Sequence, residues 1–168
     1  MQKRKKLMSA VMIVVILAAV LLGGTGMLNG KKTVGKNIKI GDVKEFYYTY
    51  DASTNPPKYQ RYRFYAEGGK CFFYHEKREG DHWPLTEADA TVKGTVELTG
   101  TQWVDFFALI TGGTVEKRTE HLESGNAGPW LYLYWSKDRG KIQEFTFATP
   151  EDRAAFRLFC EALAEQQQ

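Results

Sequence analysis

The chain is short of the residues on which simple functional readings depend. Its 168 residues include two cysteines, Cys71 and Cys160, and three histidines, His75, His82 and His121. Two cysteines exclude a disulfide-dense scaffold and a cysteine-rich zinc module. None stands directly after the N-terminal apolar run, which excludes a lipoprotein-type signal. None of Ser9, Ser53, Ser124 and Ser136 lies in the Gly-x-Ser-x-Gly elbow that a serine nucleophile needs. Gly112-Gly113 follows a helical pattern, whereas a phosphate cradle precedes one, so the pair reads as a helix stop. Internal repeats are missing, and the one low-complexity stretch is the glutamine run at 166–168.

A charge excess is missing too. The formal charge is +3, from 23 basic and 20 acidic residues, but setting aside Lys3, Arg4, Lys5 and Lys6 leaves 19 basic against 20 acidic. No basic stripe remains, and no nucleic-acid partner is expected.

What is present begins with those four basic residues and the apolar run behind them. Leu7 to Leu22 is apolar or small throughout. As a helix it would span roughly 24 Å, short of the roughly 30 Å of a bilayer core. Continuing to Leu28 makes it long enough, and the run exceeds an ordinary signal-peptide apolar region. The expectation is a transmembrane signal anchor over 7–28, through Leu7, Val14, Leu22 and Leu28, with residues 1–6 a cytoplasmic tail. The bilayer is then its first partner. Gly24-Thr25-Gly26 keeps open the alternative of a secreted protein cleaved near Gly26. Lys31, Lys32, Lys36 and Lys39 nearly balance the basic residues before the run. Orientation is decided by the dense cluster at Lys3 to Lys6, which places the domain outside the cell.

Residues 29–41, rich in Gly, Lys and Asn, read as a flexible stalk, and 42–168 as one extracytoplasmic domain. Ten Phe, nine Tyr and four Trp are too many for a disordered tail. Strands are expected at 45–50, 62–66, 71–76, 92–98, 130–135 and 142–148, all but 92–98 aromatic, with a weaker one at 115–122. A hairpin turns at Glu67-Gly68-Gly69-Lys70. Trp103, Phe106, Phe107 and Ile110 repeat at helical spacing behind Thr101 as N-cap. Phe156, Phe159, Cys160 and Leu163 do so behind Thr149 and Pro150. The fold class is α+β: an antiparallel sheet carrying two amphipathic helices. The ending "EFTFATPEDRAAFRLFCEAL" also looks like the last strand and helix of a pleckstrin-homology-like barrel, the alternative.

The order of aromatic strands, Trp-containing helix, "WLYLYW", glycine turn, "FTF" strand and "TPEDR" helix resembles small anchored or exported domains of unknown function from Gram-positive bacteria. That resemblance implies a location and no activity.

His75, Glu76, Glu79, Asp81 and His82 form the densest set of possible metal or acid/base groups, with His121 apart. Their spacing lacks the i, i+4 pair of a zinc helix, and a solvated loop explains them. No metal, cofactor or catalytic residue is expected. In "WLYLYW", Trp130, Tyr132 and Tyr134 point one way and Leu131, Leu133 and Trp135 the other. With one set under helices, the other forms an aromatic surface able to grip a protein or an envelope glycan. The leading expectation is a membrane-tethered binding domain. The alternatives are a metal-dependent or hydrolytic cell-envelope enzyme, and a structural subunit of a membrane complex. Cys71 and Cys160 are expected as separate thiols that each stand for a small hydrophobe, with a disulfide between them as the alternative if the last helix crosses the strand that holds Cys71.

Overall fold

The computed structural model describes Val34 and residues 38–116, 130–135 and 141–167 of the chain. The apolar run at 7–28 and His121 lie outside those residues. Among the described residues no helix is long and apolar enough to cross a membrane.

Alternating apolar positions build seven strands: β1 (Val43–Ala52), β2 (Lys58–Glu67), β3 (Lys70–Glu79), β4 (Ala90–Leu98), β5 (Val115–Glu116), β6 (Trp130–Trp135) and β7 (Lys141–Phe147). They form one antiparallel sheet in the order β4-β3-β2-β1-β6-β7-β5. The first four make a meander running outward from β1. Its tightest turn is the expected Gly68-Gly69 pair, with φ of 58° and 80°. Two consecutive positive φ values define the primed turn that matches strand twist, and glycine takes them without a Cβ clash. After β4 the chain crosses through α1 (Gly100–Gly112) to the opposite edge, and α2 (Pro150–Ala164) follows β7. Among the described residues the edges β4 and β5 do not pair with each other, so there the sheet is not closed as a pleckstrin-type barrel would be. Of the weak strand expected at 115–122, Val115–Glu116 is a strand and the rest lies outside the described residues.

Both helices pack on one face of the sheet. Phe64 of β2 stacks on Phe106 of α1 at 4.0 Å and 7°, and Phe46 of β1 meets Phe106 at 5.4 Å and Phe156 of α2 at 5.5 Å. Phe156 also touches Tyr48 and Phe147. Each such ring removed from water contributes about 1.5 to 3 kcal/mol. Buried positions on α2 are Phe156, Phe159, Cys160 and Leu163, and on α1 Trp103, Phe106 and Ile110, as their spacing predicts, with Phe107 half-buried.

The α2 cap is the expected one: the Thr149 side chain accepts from the Asp152 N–H, and Pro150 opens the helix. The α1 cap is Thr99 in place of the expected Thr101. Its hydroxyl accepts from Gln102 N at 3.2 Å, while its own N–H donates to Gln102 Oε1 at 2.8 Å. That reciprocal pair satisfies two otherwise orphaned donors, which Thr101 has no partner at the right spacing to do.

The core also reaches upstream of Asp42, into the stretch expected as a stalk. Val34 is buried, and Ile38 and Ile40 pack against the core cluster. Their lysine-rich surroundings hid three aliphatic side chains that the sheet and helices bury. Cys71 and Cys160 are both free thiols, Cys160 buried and Cys71 half-buried. Burial raises the pKa of both.

Candidate binding face

Strand alternation divides the sheet into two chemistries. Under the helices lie Phe46 and Tyr48 of β1, Tyr62 and Phe64 of β2, Phe73 and His75 of β3, and Leu131 and Leu133 of β6. The opposite face carries neither helix. Three successive rows run across it from β6 to β3. The first is Tyr134, Glu45, Tyr65 and Phe72. The second is Tyr132, Tyr47, Arg63 and Tyr74, and the third is Trp130, Thr49, Arg61 and Glu76. Asp51, Tyr59 and Arg78 continue the pattern toward the strand ends.

This face is held rigid by paired charges and rings. Glu45, 2% exposed, is gripped by Arg63 Nε and accepts from the Tyr47 hydroxyl at 2.6 Å. Glu76, 4% exposed, accepts from Arg78 Nε at 2.6 Å and from the Tyr74 hydroxyl at 2.8 Å. Burial alone would raise the Glu76 pKa, but the Tyr74 and Arg78 hydrogen bonds and the charges of Arg78 and Arg61 outweigh it and hold the carboxyl below its usual range. The guanidiniums lie on aromatic rings: Arg63 over Tyr65 at 4.2 Å, Arg78 over Tyr59 at 4.2 Å, and Arg61 between Tyr47 and Tyr59 at 5.8 and 5.5 Å. Tyr47 meets Tyr134 edge-on, and Tyr65 stacks on Phe72. Cation–π contact, ion pairing and mutual packing hold the long arginine side chains in place on the face, which reduces the entropy they have left to lose.

The sequence-predicted surface falls on this face in part through side chains and in part through register. Tyr132 and Tyr134 are half-buried on it, while Leu131 and Leu133 are fully buried beneath the helices and Trp135 packs against the core. Trp130 is in register with Thr49. What the sequence reading missed is the arginine and glutamate lattice. The signal was there as period-2 alternation, since Tyr59, Arg61, Arg63 and Tyr65 alternate with Gln60, Tyr62 and Phe64.

The histidine and acid cluster is dispersed. His75 and Glu76 are neighbours in a strand and so lie on opposite faces. Glu79 pairs with Lys77, and His82 Nε2 sits 3.5 Å from Asp89. Among the described residues no group of three His, Cys, Asp or Glu side chains could hold a metal ion.

His75 belongs to the helix-covered side. Its ring lies 5.0 Å from Tyr62 and 6.4 Å from Phe73, its Nε2 is 3.3 Å from Gln60 Nε2, and its buried Nδ1 has no hydrogen-bond partner among the described residues. Burial first, and Lys77 second, lower its pKa below the ordinary 6.5. A folded-state pKa below the unfolded one means that the neutral ring supports folding above about pH 6.5, and that support is lost as pH falls toward the folded-state value. We expect His75→Phe to remove the early part of the acid destabilisation. Urea titrations at about pH 7.5 and about pH 5.5 would check this, with the parent losing more stability than the variant between them.

A depression of about 380 Å³ opens where β1, β2 and β3 approach their ends, with Lys58, Tyr59, Lys77 and Arg78 among its walls. It adjoins the arginine-bearing face through Tyr59 and Arg78. No known family matches the chain, no curated protein is similar to it in sequence, and no solved structure matches it.

Proposed function

We propose that the chain is a membrane-tethered extracytoplasmic binding domain whose working surface is the helix-free face of its sheet. In this reading residues 7–28 anchor the chain, the domain projects outside the cell, and the sheet face grips a partner by contact, as an anchored envelope domain of a Gram-positive type would.

The observation that carries the reading is the composition of that face. A sheet surface needed only for solubility carries Lys, Glu and Thr. This one carries Tyr47, Tyr65, Tyr74, Tyr132 and Tyr134 interleaved with Arg61, Arg63 and Arg78. Tyrosine and arginine dominate the energetic centres of protein contacts, because each gives a large, stiff contact area with a polar tip. The paired glutamates beneath them supply the preorganisation that lowers the entropic cost of binding.

The tether is tested by alkaline extraction of membranes together with protease treatment of intact cells. The full chain should stay in the pellet and the domain should be shaved from outside. Release at alkaline pH, or full protection, contradicts the placement. For the face, cross-linking in the native membrane should give a discrete adduct that Tyr65→Ala with Tyr134→Ala weakens by about tenfold or more. An adduct unaffected by that pair contradicts the assigned surface.

A further inference from the structure

The three arginines of the open face are not equivalent. Arg63 is paired with Glu45 and Arg78 with Glu76. Arg61, two residues before Arg63 on β2, forms no ion pair among the described residues. Its Nε donates to Thr49 Oγ1 at 3.3 Å, its guanidinium carbon lies over Tyr47 and Tyr59, and among the described residues its terminal nitrogens meet no acceptor. Glu76 and Asp51 feel its charge without closing on it. A stiffly held guanidinium with an open fork is the donor geometry that matches a carboxylate in two parallel hydrogen bonds.

The surroundings choose among anionic ligands. A sugar would stack its carbon–hydrogen face on a bare ring, but the Tyr65 ring is met by both Arg63 and Phe72, and the Tyr59 ring by both Arg78 and Arg61. A polyphosphate chain needs a run of cations. On this face, strands β1 to β4 and β7 set Glu45, Asp51, Glu67, Glu76, Glu97 and Glu144 against Arg61, Arg63, Lys70, Arg78 and Lys93, which leaves no stripe of cations, and Arg61 is the one of the three arginines with no carboxylate in salt-bridge contact among the described residues. An apolar contact is also present. Ile142 of β7, in register with Tyr134, is 51% exposed on the same face. It lies roughly 20 Å from Arg61, three strand spacings across and four residues along.

We propose that Arg61 is the anchor for a single carboxylate of an acidic protein segment laid across the open face, with an aliphatic side chain of that segment resting near Ile142. The proposal rests on the binding-domain reading and names its ligand class. Charge complementarity at one point, together with an apolar contact within reach of a short extended peptide, selects a protein segment over a glycan or a phosphate polymer.

The test selects random displayed peptides of about twelve residues, long enough to span the face when extended, against the full chain in lipid nanodiscs. The expected result is enrichment of sequences with one Asp or Glu and an aliphatic residue several positions away. Those peptides should bind R61Q about tenfold or more weakly, and R61K weakly as well, since an ammonium lacks the fork. Melting curves that match the parent keep the loss attributable to the contact, and R61K serves if R61Q does not fold. Enriched peptides without an acid, no enrichment, or unchanged binding to both variants overturns the proposal. The same preparation is challenged with N-acetylglucosamine oligomers and with poly(glycerol phosphate). Arg61-dependent binding of either in place of the peptides overturns the acidic-segment assignment but leaves the open face as the binding surface. Peptides that ignore Arg61 and protect Val104 and Leu158 on the outer helix faces from footprinting overturn both readings.

Discussion

Phe106→Ala is expected to lower the stability of the domain by about 3 to 5 kcal/mol, which for a domain of this size is most of what it has. Phe106 is fully buried and joins the two layers: it stacks on Phe64, meets Phe46 edge-on, and packs on Trp103 of its own helix. Truncation removes a ring from between sheet and helix, where backbone on both sides is fixed by hydrogen bonds and collapse into the void is limited. A neighbouring outward position serves as the control. Val104 is 55% exposed on the same helix, and Val104→Ala should move stability by no more than about 0.5 kcal/mol. Denaturant titration of both variants checks the pair, and similar midpoints would contradict the packing described for α1.

Glu76→Ala is expected to cost about 2 to 4 kcal/mol near neutral pH, an unusual amount for a charged residue on a sheet face without a helix over it. The carboxylate is almost fully buried, and its loss leaves the Arg78 guanidinium and the Tyr74 hydroxyl without the acceptor that fixes them. The effect has a pH signature. Because the folded-state pKa of Glu76 lies below the ordinary 4.5, its contribution is fully present above about pH 4.5 and is lost as pH falls through the lower, folded value. The gap between parent and variant should therefore narrow between about pH 7 and about pH 3. Urea titrations at the two pH values measure it directly, and an equal gap at both would mean the carboxylate is not held as described.

The parts of this fold legible in the sequence are those set by local chemistry. Thr149, Pro150 and Asp152 announce α2 because cap, rigid φ and first-turn acid all act within one turn, and the four-residue apolar stripe behind them has one interpretation. The Gly68-Gly69 hairpin is legible for the same reason. Thr99 and Thr101 are both good caps, and what decides for Thr99 is Gln102 three residues on, whose side chain closes the reciprocal hydrogen bond. The strand order was not legible. Nothing local makes β5 pair with β7 or sets β6 beside β1; those pairings follow from where α1 delivers the chain.

The candidate face was half legible. Tyr132 and Tyr134 could be set apart from Leu131 and Leu133 by alternation in a strand with a plain apolar side. In β1 both sides are aromatic, so alternation between Tyr47 and Tyr48 gave no indication of which faced the helices, and the plainer alternation of Arg61 and Arg63 with Tyr62 and Phe64 in β2 carried the signal. Glu45 and Glu76 read as solvated charges, because a carboxylate becomes buried only when a cross-strand or same-strand arginine meets it. That meeting depends on register. Val34, Ile38 and Ile40 were hidden by their lysine neighbours, whose charge sets the local average while the aliphatic side chains turn inward.

The central claim is that the helix-free sheet face is the surface that meets a partner. Its most direct measurement is a photo-reactive amino acid placed singly at Thr49, Thr95 and Ile142 on that face and at Val104 and Leu158 on the outer helix faces, in the full chain expressed in its own cells. The account predicts partner adducts from Thr49 and Ile142, falling off at Thr95 on the edge strand, and none above background from Val104 or Leu158. Adducts that concentrate at Val104 and Leu158 while Thr49 and Ile142 stay silent would contradict it.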